Sequence, residues 1–162
     1  MMAKTNPSII LLKGNPVYEE FPLAPISASG VTAITPGMLV ELSAGEVRPH
    51  STQGGDVTPR MFAVEGLNED SSTKTMGDID VDYDDDNAAV KCAVCAGGEW
   101  VYALLGAGQS VAADGLLQSA SDGYLMAYSA AAQKPERIVG QAIAAVDNSA
   151  GTTPARVKVR VL

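Results

Sequence analysis

Aromatic side chains are scarce in this chain of 162 residues, at 5% of the total, with a single Trp. A core without large rings has to be filled by small aliphatic groups, and Ala, Gly and Val dominate the composition. That favours a thin interior of the kind found in a small barrel or sandwich. Cysteine is nearly absent too. Two residues, Cys92 and Cys95, cannot make a disulfide framework or, with one histidine in the chain, a closed zinc site. No staple is required, because a domain of this length buries roughly 70% of the surface its unfolded chain exposes.

Long apolar runs are missing as well. Nothing approaches the ~20 residues of a membrane span. The run Ile9 to Leu12 stops at Lys13, short of the ~7–15 apolar residues in the core of a signal peptide. A soluble protein made in the cytosol, with no membrane partner, is therefore expected. Cations are in deficit, 11 Lys and Arg against 19 Asp and Glu, for a net charge of -8. Such a surface repels phosphate, which excludes nucleic acid as a main partner.

What is present reads as strands. Residues 1–30 stand apart, punctuated by Pro7, Pro16, Pro22 and Pro25 and by the turn pair Gly14-Asn15. Each Pro removes a donor and biases its predecessor towards extended backbone, so this stretch is expected to be an extended N-terminal arm with one short strand at Ser8–Lys13. Ordering it costs ~1–2 kcal/mol per residue, so it should lie on its own domain, a sister subunit or another protein.

From residue 31 onward, short strands alternate with turns. Met38–Leu42 and Glu46–Pro49 flank Ser43-Ala44-Gly45 as a hairpin, and Arg60–Glu65 follows as another short strand. Residues 67–87 are expected to loop out as an acidic stretch. Ala88–Cys95 and Glu99–Leu105 then read as a hairpin around Ala96-Gly97-Gly98, with Trp100, Tyr102 and Leu104 on one face. Asp122-Gly123 divides a third hairpin, Leu116–Ser119 and Tyr124–Met126. Ile138–Val146 fits a strand or a short helix. In the last segment, Arg156 to Leu162, three valines face one way and three cations the other. The expected fold is mainly β, a small β-barrel or β-sandwich over residues 31–162.

Four features invite a chemical reading. Asp78 to Asp86 places carboxylates at alternate positions, which a Ca²⁺ ion could bridge, but no register supplies the glycine of an EF-hand loop. A solvated acidic loop is the simpler reading. Cys92 and Cys95 match C-x-x-C inside a strand, where they should point to opposite faces as buried, reduced thiols. His50 has Ser51, Thr52 and Asp56 nearby, but sequence neighbours rarely form a catalytic triad, and a surface or turn histidine is expected. Gly106-Ala107-Gly108 lacks the third glycine of a nucleotide fingerprint and reads as a turn. No enzyme constellation, metal site or cofactor site emerges.

Several blocks occur in an order that resembles one family. They are Pro36-Gly37-Met38-Leu39-Val40-Glu41, Val47-Arg48-Pro49-His50 and Pro59-Arg60-Met61-Phe62-Ala63-Val64-Glu65. Further along come Glu99 to Leu105, Gly108-Gln109-Ser110-Val111, Gly115 to Ser119 with Asp122-Gly123, Ile138 to Ala142, and Arg156 to Arg160. Together, over most of residues 31–162, they are similar to the head decoration (capsid cement) proteins of tailed bacteriophages.

The resemblance implies a non-enzymatic β-barrel or β-sandwich on the outer surface of the virion. It would bind the major capsid protein and associate with itself, as a trimer ahead of a dimer. Another virion component, such as a head fibre base or tail protein, is the alternative, and a calcium-binding β-module is a further one. On this reading the capsid or subunit contacts fall in the arm, at Ser8, Ile9, Ile10, Leu11, Leu12, Val17, Tyr18 and Phe21. Deleting residues 1–30 would then leave a folded protein that no longer binds capsids.

Overall fold

The computed structural model describes residues 7–25, 33–66, 79–84, 89–129 and 135–162. They form thirteen strands, numbered in chain order, and the helical turn among them is a short 3₁₀ turn at Pro135–Arg137. Of these strands, β8 (Ser110–Val111) and β12 (Val146–Asp147) make a small antiparallel pair of their own. The fold is mainly β and contains a closed five-stranded barrel.

The barrel comes from the C-terminal half. Its strands are β7 (Trp100–Leu105), β9 (Leu116–Ser121), β10 (Tyr124–Ala127), β11 (Ile138–Ala142) and β13 (Ala155–Val161). They follow the ring β7-β10-β9-β11-β13, which closes because β13 pairs back onto β7 from Ala155↔Leu105 to Arg160↔Trp100. All neighbours are antiparallel except β7 and β10, which meet in parallel at Leu105 and Leu125. The β9–β10 hairpin turns at Asp122-Gly123, as the dipeptide predicts. Ile138–Ala142 is a strand and not a helix.

Alternation explains the barrel's filling. Val157, Val159 and Val161 are fully buried, opposite Ala103 and Val101 of β7, with Leu117, Leu125 and Val139 completing the interior. A five-stranded barrel has room only for such small groups. Gly140 is one consequence, since a Cβ there would lie 2.5 Å from the Arg160 carbonyl oxygen across the wall.

The second layer is an antiparallel sheet of β2 (Val17–Pro22), β6 (Ala89–Cys95), β5 (Arg60–Ala63), β3 (Leu39–Ser43) and β4 (Glu46–Pro49), in that order. The β3–β4 hairpin forms as expected, with Ala44 and Gly45 at positive φ. Leu39, Phe62, Ala93 and Cys95 of this sheet join the barrel's core, while Val40, Val47, Met61, Val90 and Cys92 make a second core on its other side. The sheet curls around that second core until Leu23 bridges Val47 in parallel and the Ala24 N–H donates to the Val47 carbonyl.

Two expectations change here. Ala89–Cys95 and Trp100–Leu105 are not a hairpin. They belong to different sheets, and Ala96-Gly97-Gly98 is the crossover between layers. Both strands carry apolar residues on each face, a pattern that reads equally well as a buried hairpin. The N-terminal stretch also differs from an appended arm. Its extended backbone is as expected, but β1 (Leu11–Lys13) lines the start of β7 and β2 is an edge strand of the second sheet. Ile10 is fully buried in the barrel-side core. Residues 7–24 therefore help build both layers, and their removal would take core with it. Residues 1–6 and 26–30 of the expected arm lie outside the described residues.

Arginines tie the layers together. Arg156, on the outer side of β13, donates to the carbonyls of Pro36 (2.6 Å) and Ile79 (2.5 Å) and to Asp80 (3.1 Å), with its guanidinium over the Tyr102 ring. Of the three cations on that strand face, it is the one drawn inward. Gly37 leaves room for it: its φ is +96°, and a Cβ there would sit 2.5 Å from the Arg156 Nη1. Arg60 of β5 similarly grips the Ile138 carbonyl through Nε and Nη2.

Candidate interaction surface

The residues expected to make contacts separate into two groups. Ile10 is enclosed; its N–H donates to a Glu65 carboxylate oxygen at 3.1 Å, and its carbonyl accepts from the Tyr102 N–H at 2.7 Å. Leu11 and Leu12 are half-buried against the barrel-side core. Phe21 is half-buried over the second core. Ser8 and Ile9 are exposed at the start of the segment. Val17 and Tyr18 are the ones presented on a regular strand, 60% and 46% exposed.

That strand, β2, pairs with β6 in unbroken register from Val17↔Val94 to Pro22↔Ala89. It ends the strand order of its sheet, so among the described residues its other edge is open over Val17–Phe21. Val17, Tyr18, Glu19 and Glu20 are all exposed. The Lys91 ammonium lies 4.9 Å from the centre of the Tyr18 ring and holds it along the sheet. Partial burial, followed by the nearby charges of Glu65, Cys95 and Glu99, raises the Tyr18 hydroxyl's pKa.

The segment is positioned by a carboxylate that sequence reasoning passed over. Glu99, almost fully buried, accepts the Asn15 N–H at 2.8 Å on one oxygen and the Ala96 N–H at 2.9 Å on the other. It thereby fixes the β1–β2 turn against the crossover between the layers. Gly14, at φ +124°, leaves the space that the Glu99 side chain occupies. A glutamate in an otherwise apolar strand start, beside a turn glycine, was the available signal.

The chemical candidates resolve differently. His50 is not on the surface; it is 3% exposed, between the layers. Its Nε2 lies 2.9 Å from the Asp56 carbonyl, and its Nδ1 lies 2.9 Å from Ser119 Oγ. A carbonyl can only accept, so Nε2 donates to Asp56, while Nδ1 and the Ser119 hydroxyl share the second hydrogen bond. Glu41, 3.7 Å from Nε2, is itself held by Arg48 and Ser51. Ser119 is fully buried and His50 nearly so, and this serine and histidine form a closed polar joint between the layers. Sequence spacing missed it because Ser119 is far along the chain and meets His50 only across the layers.

Cys92 and Cys95 do face opposite sides of β6, one in each core, and both are free thiols. Burial pushes each thiol up to about 12, with Glu19 adding to the shift at Cys92 and Glu99 at Cys95. Neither is a thiolate at neutral pH.

The acidic run is partly anchored. Ile79 and Tyr83 are buried, Tyr83 exchanges backbone hydrogen bonds with Ile34, and its hydroxyl donates to the Val64 carbonyl at 2.8 Å. Asp80 pairs with Arg156. Residues 67–78 and 85–87 of the expected acidic loop, including Asp78, Asp85 and Asp86, lie outside the described residues. Among the described residues, no three potential ligands gather into a metal site. A shallow cleft of about 260 Å³ lies between Thr35, Asp80, Leu104, Tyr124, Pro154 and Arg156. Its one cation, the half-buried Arg156, is already committed to protein acceptors, so the cleft offers a ligand little.

No protein-family model and no curated protein matches the chain.

Proposed function

We propose that this chain is a virion structural protein that binds the exterior of a phage capsid and cements neighbouring major capsid subunits. The observation that carries this reading is the open edge of β2. It is a strand locked to its own sheet on one side, with its other edge unpaired among the described residues and four consecutive side chains exposed. Extended edges of this kind recognise other chains through main-chain hydrogen bonds, with side chains setting specificity. The ordered blocks of resemblance from Pro36 to Arg160 support the same reading.

A cement needs a rigid body more than a reaction centre. The barrel, the curled sheet and the arginine ties between them supply that rigidity. Each site on a symmetric shell can be weak, because repetition and self-association multiply it by avidity. On this reading the working unit is a homo-oligomer, a trimer ahead of a dimer, on the outer capsid surface after synthesis in the host cytoplasm.

The test is co-sedimentation of the folded protein with undecorated expanded capsids, with unexpanded procapsids as the control. Saturable binding to expanded shells is expected, with weaker binding to procapsids. A folded protein that binds neither would overturn the reading in favour of a tail or fibre component.

A further inference from the structure

From its geometry and charge, we infer that the open edge of β2 accepts an extended segment from another protein, one carrying two consecutive cations between apolar residues. This rests on the reading of the chain as a docking module and names the chemistry of its partner.

The backbone sets which groups are available. The Ala24 N–H already donates towards β4 from this edge, and β2 runs without a register break from Val17 to Pro22. Alternation along a strand then turns the N–H and C=O of Tyr18 and Glu20 outward, away from β6. Pro22 has no N–H to offer, so the usable edge ends there. An incoming antiparallel strand can exchange hydrogen bonds with Tyr18 and with Glu20.

The side chains set what that strand carries. Glu19 and Glu20 are consecutive and exposed, so they project on opposite sides of the edge. Tyr18 flanks Glu20 on one side; Val17 and Phe21 flank Glu19 on the other. Directly opposite residues interact, favourably for opposite charges and unfavourably for like ones. The complementary strand therefore has cations opposite Glu19 and Glu20 and apolar residues opposite Phe21, Tyr18 and Val17. The net charge of -8 adds long-range attraction for such a segment.

A second copy of this chain is a poorer occupant. Two β2 edges paired antiparallel about Glu19 or Glu20 set glutamate against glutamate, and pairing about Tyr18 leaves much of the edge unused. The acids also guard the edge against self-association while it waits for its partner.

The test uses the full chain and a capped, labelled eight-residue peptide with two central lysines flanked by valine and leucine. Fluorescence anisotropy should show binding that weakens with added salt. The variant Glu19→Lys/Glu20→Lys, checked for an unchanged fold by circular dichroism, should bind at least about tenfold more weakly. It should instead take up the same peptide with glutamates in place of the lysines. N-methylation of alternate peptide residues separates strand pairing from mere charge attraction: methyls in one parity should abolish binding, and methyls in the other should not. Equal effects of both parities, equal binding to the charge-reversed variant, or a dimer of the chain alone that buries this edge would each overturn the inference.

Shell binding separates this inference from the broader one. If expanded capsids bind the native and charge-reversed proteins equally, the cement reading stands and this edge is not its contact. If the peptide binds as described but no capsid does, the edge stands and the capsid reading falls.

Discussion

Cys92 and Cys95 show how a residue's chemistry follows from the face it occupies. Three positions apart on one strand, they fall into different cores, and burial holds both as thiols with pKa values near 12 against an ordinary 9.0. The Tyr83 hydroxyl is likewise pushed up to about 12, chiefly by burial. Above pH ~9 an unfolded chain releases these protons while the native state keeps them, so the unfolded state binds fewer and stability falls as pH rises. The contribution is intact below pH 9 and is lost progressively towards pH 12. Urea titrations at pH 8, 9.5 and 10.5 should show a steadily lower midpoint. At pH 8 neither cysteine should react with a thiol reagent until the protein unfolds, as followed by mass spectrometry. The cysteines were legible in the sequence, because period-two alternation alone separates positions three apart. His50 was not, because its partner Ser119 is close only in the folded molecule.

Among the elements, the β1–β2 segment departs most from its expected role. Pro7, Pro16 and Gly14-Asn15 correctly mark extended backbone and a turn, yet they carry no information about what the backbone lies on. The answer is the protein's own two sheets, with Ile10 as the peg and Glu99 and Glu65 as the acceptors of its main chain. Replacing Ile10 with Ala should cost about 2–5 kcal/mol in urea unfolding, the range for emptying a fully buried aliphatic site. Removing residues 1–24 should abolish the cooperative thermal transition, because it strips β1 from β7 and β2 from β6 together. A truncated protein that melts as the full chain does would show that the segment is dispensable for folding. The crossover at Ala96-Gly97-Gly98 teaches the same point. Local sequence marks a reversal of direction, but which sheet the next strand joins depends on closure of the barrel by β13.

At the scale of the whole molecule, the two layers are held as one body by a shared core and by polar ties that cross it. The barrel-side core includes Leu39, Phe62 and Ala93 from the sheet as well as the barrel interior. Arg156 reaches from β13 to the Pro36 and Ile79 carbonyls. Changing Arg156 to Met should leave those carbonyls without their donor and cost about 2–4 kcal/mol. Lys should restore less than half of this, since one ammonium cannot match the guanidinium's fork. Trp100 fluorescence and far-UV circular dichroism should still report a single coincident transition in urea, because the apolar seam persists. Separate transitions for the two signals would show that the arginine, and not the shared core, couples the layers.

The sequence by itself determined the fold class, the strands at Leu39–Ser43, Glu46–Pro49, Leu116–Ser121, Tyr124–Ala127 and Ala155–Val161, and the burial of the terminal valines. These depend on alternation and on turn chemistry, which act over a few residues and are written locally. Tertiary structure alone decided that five strands close into a ring, that the N-terminal segment belongs to both sheets, and that Arg156, Glu99 and His50 are joints between distant elements. Those outcomes depend on which buried faces and unsatisfied polar groups meet after the chain has folded back on itself. Residues such as His50 and Ser119, 69 positions apart, become neighbours only then.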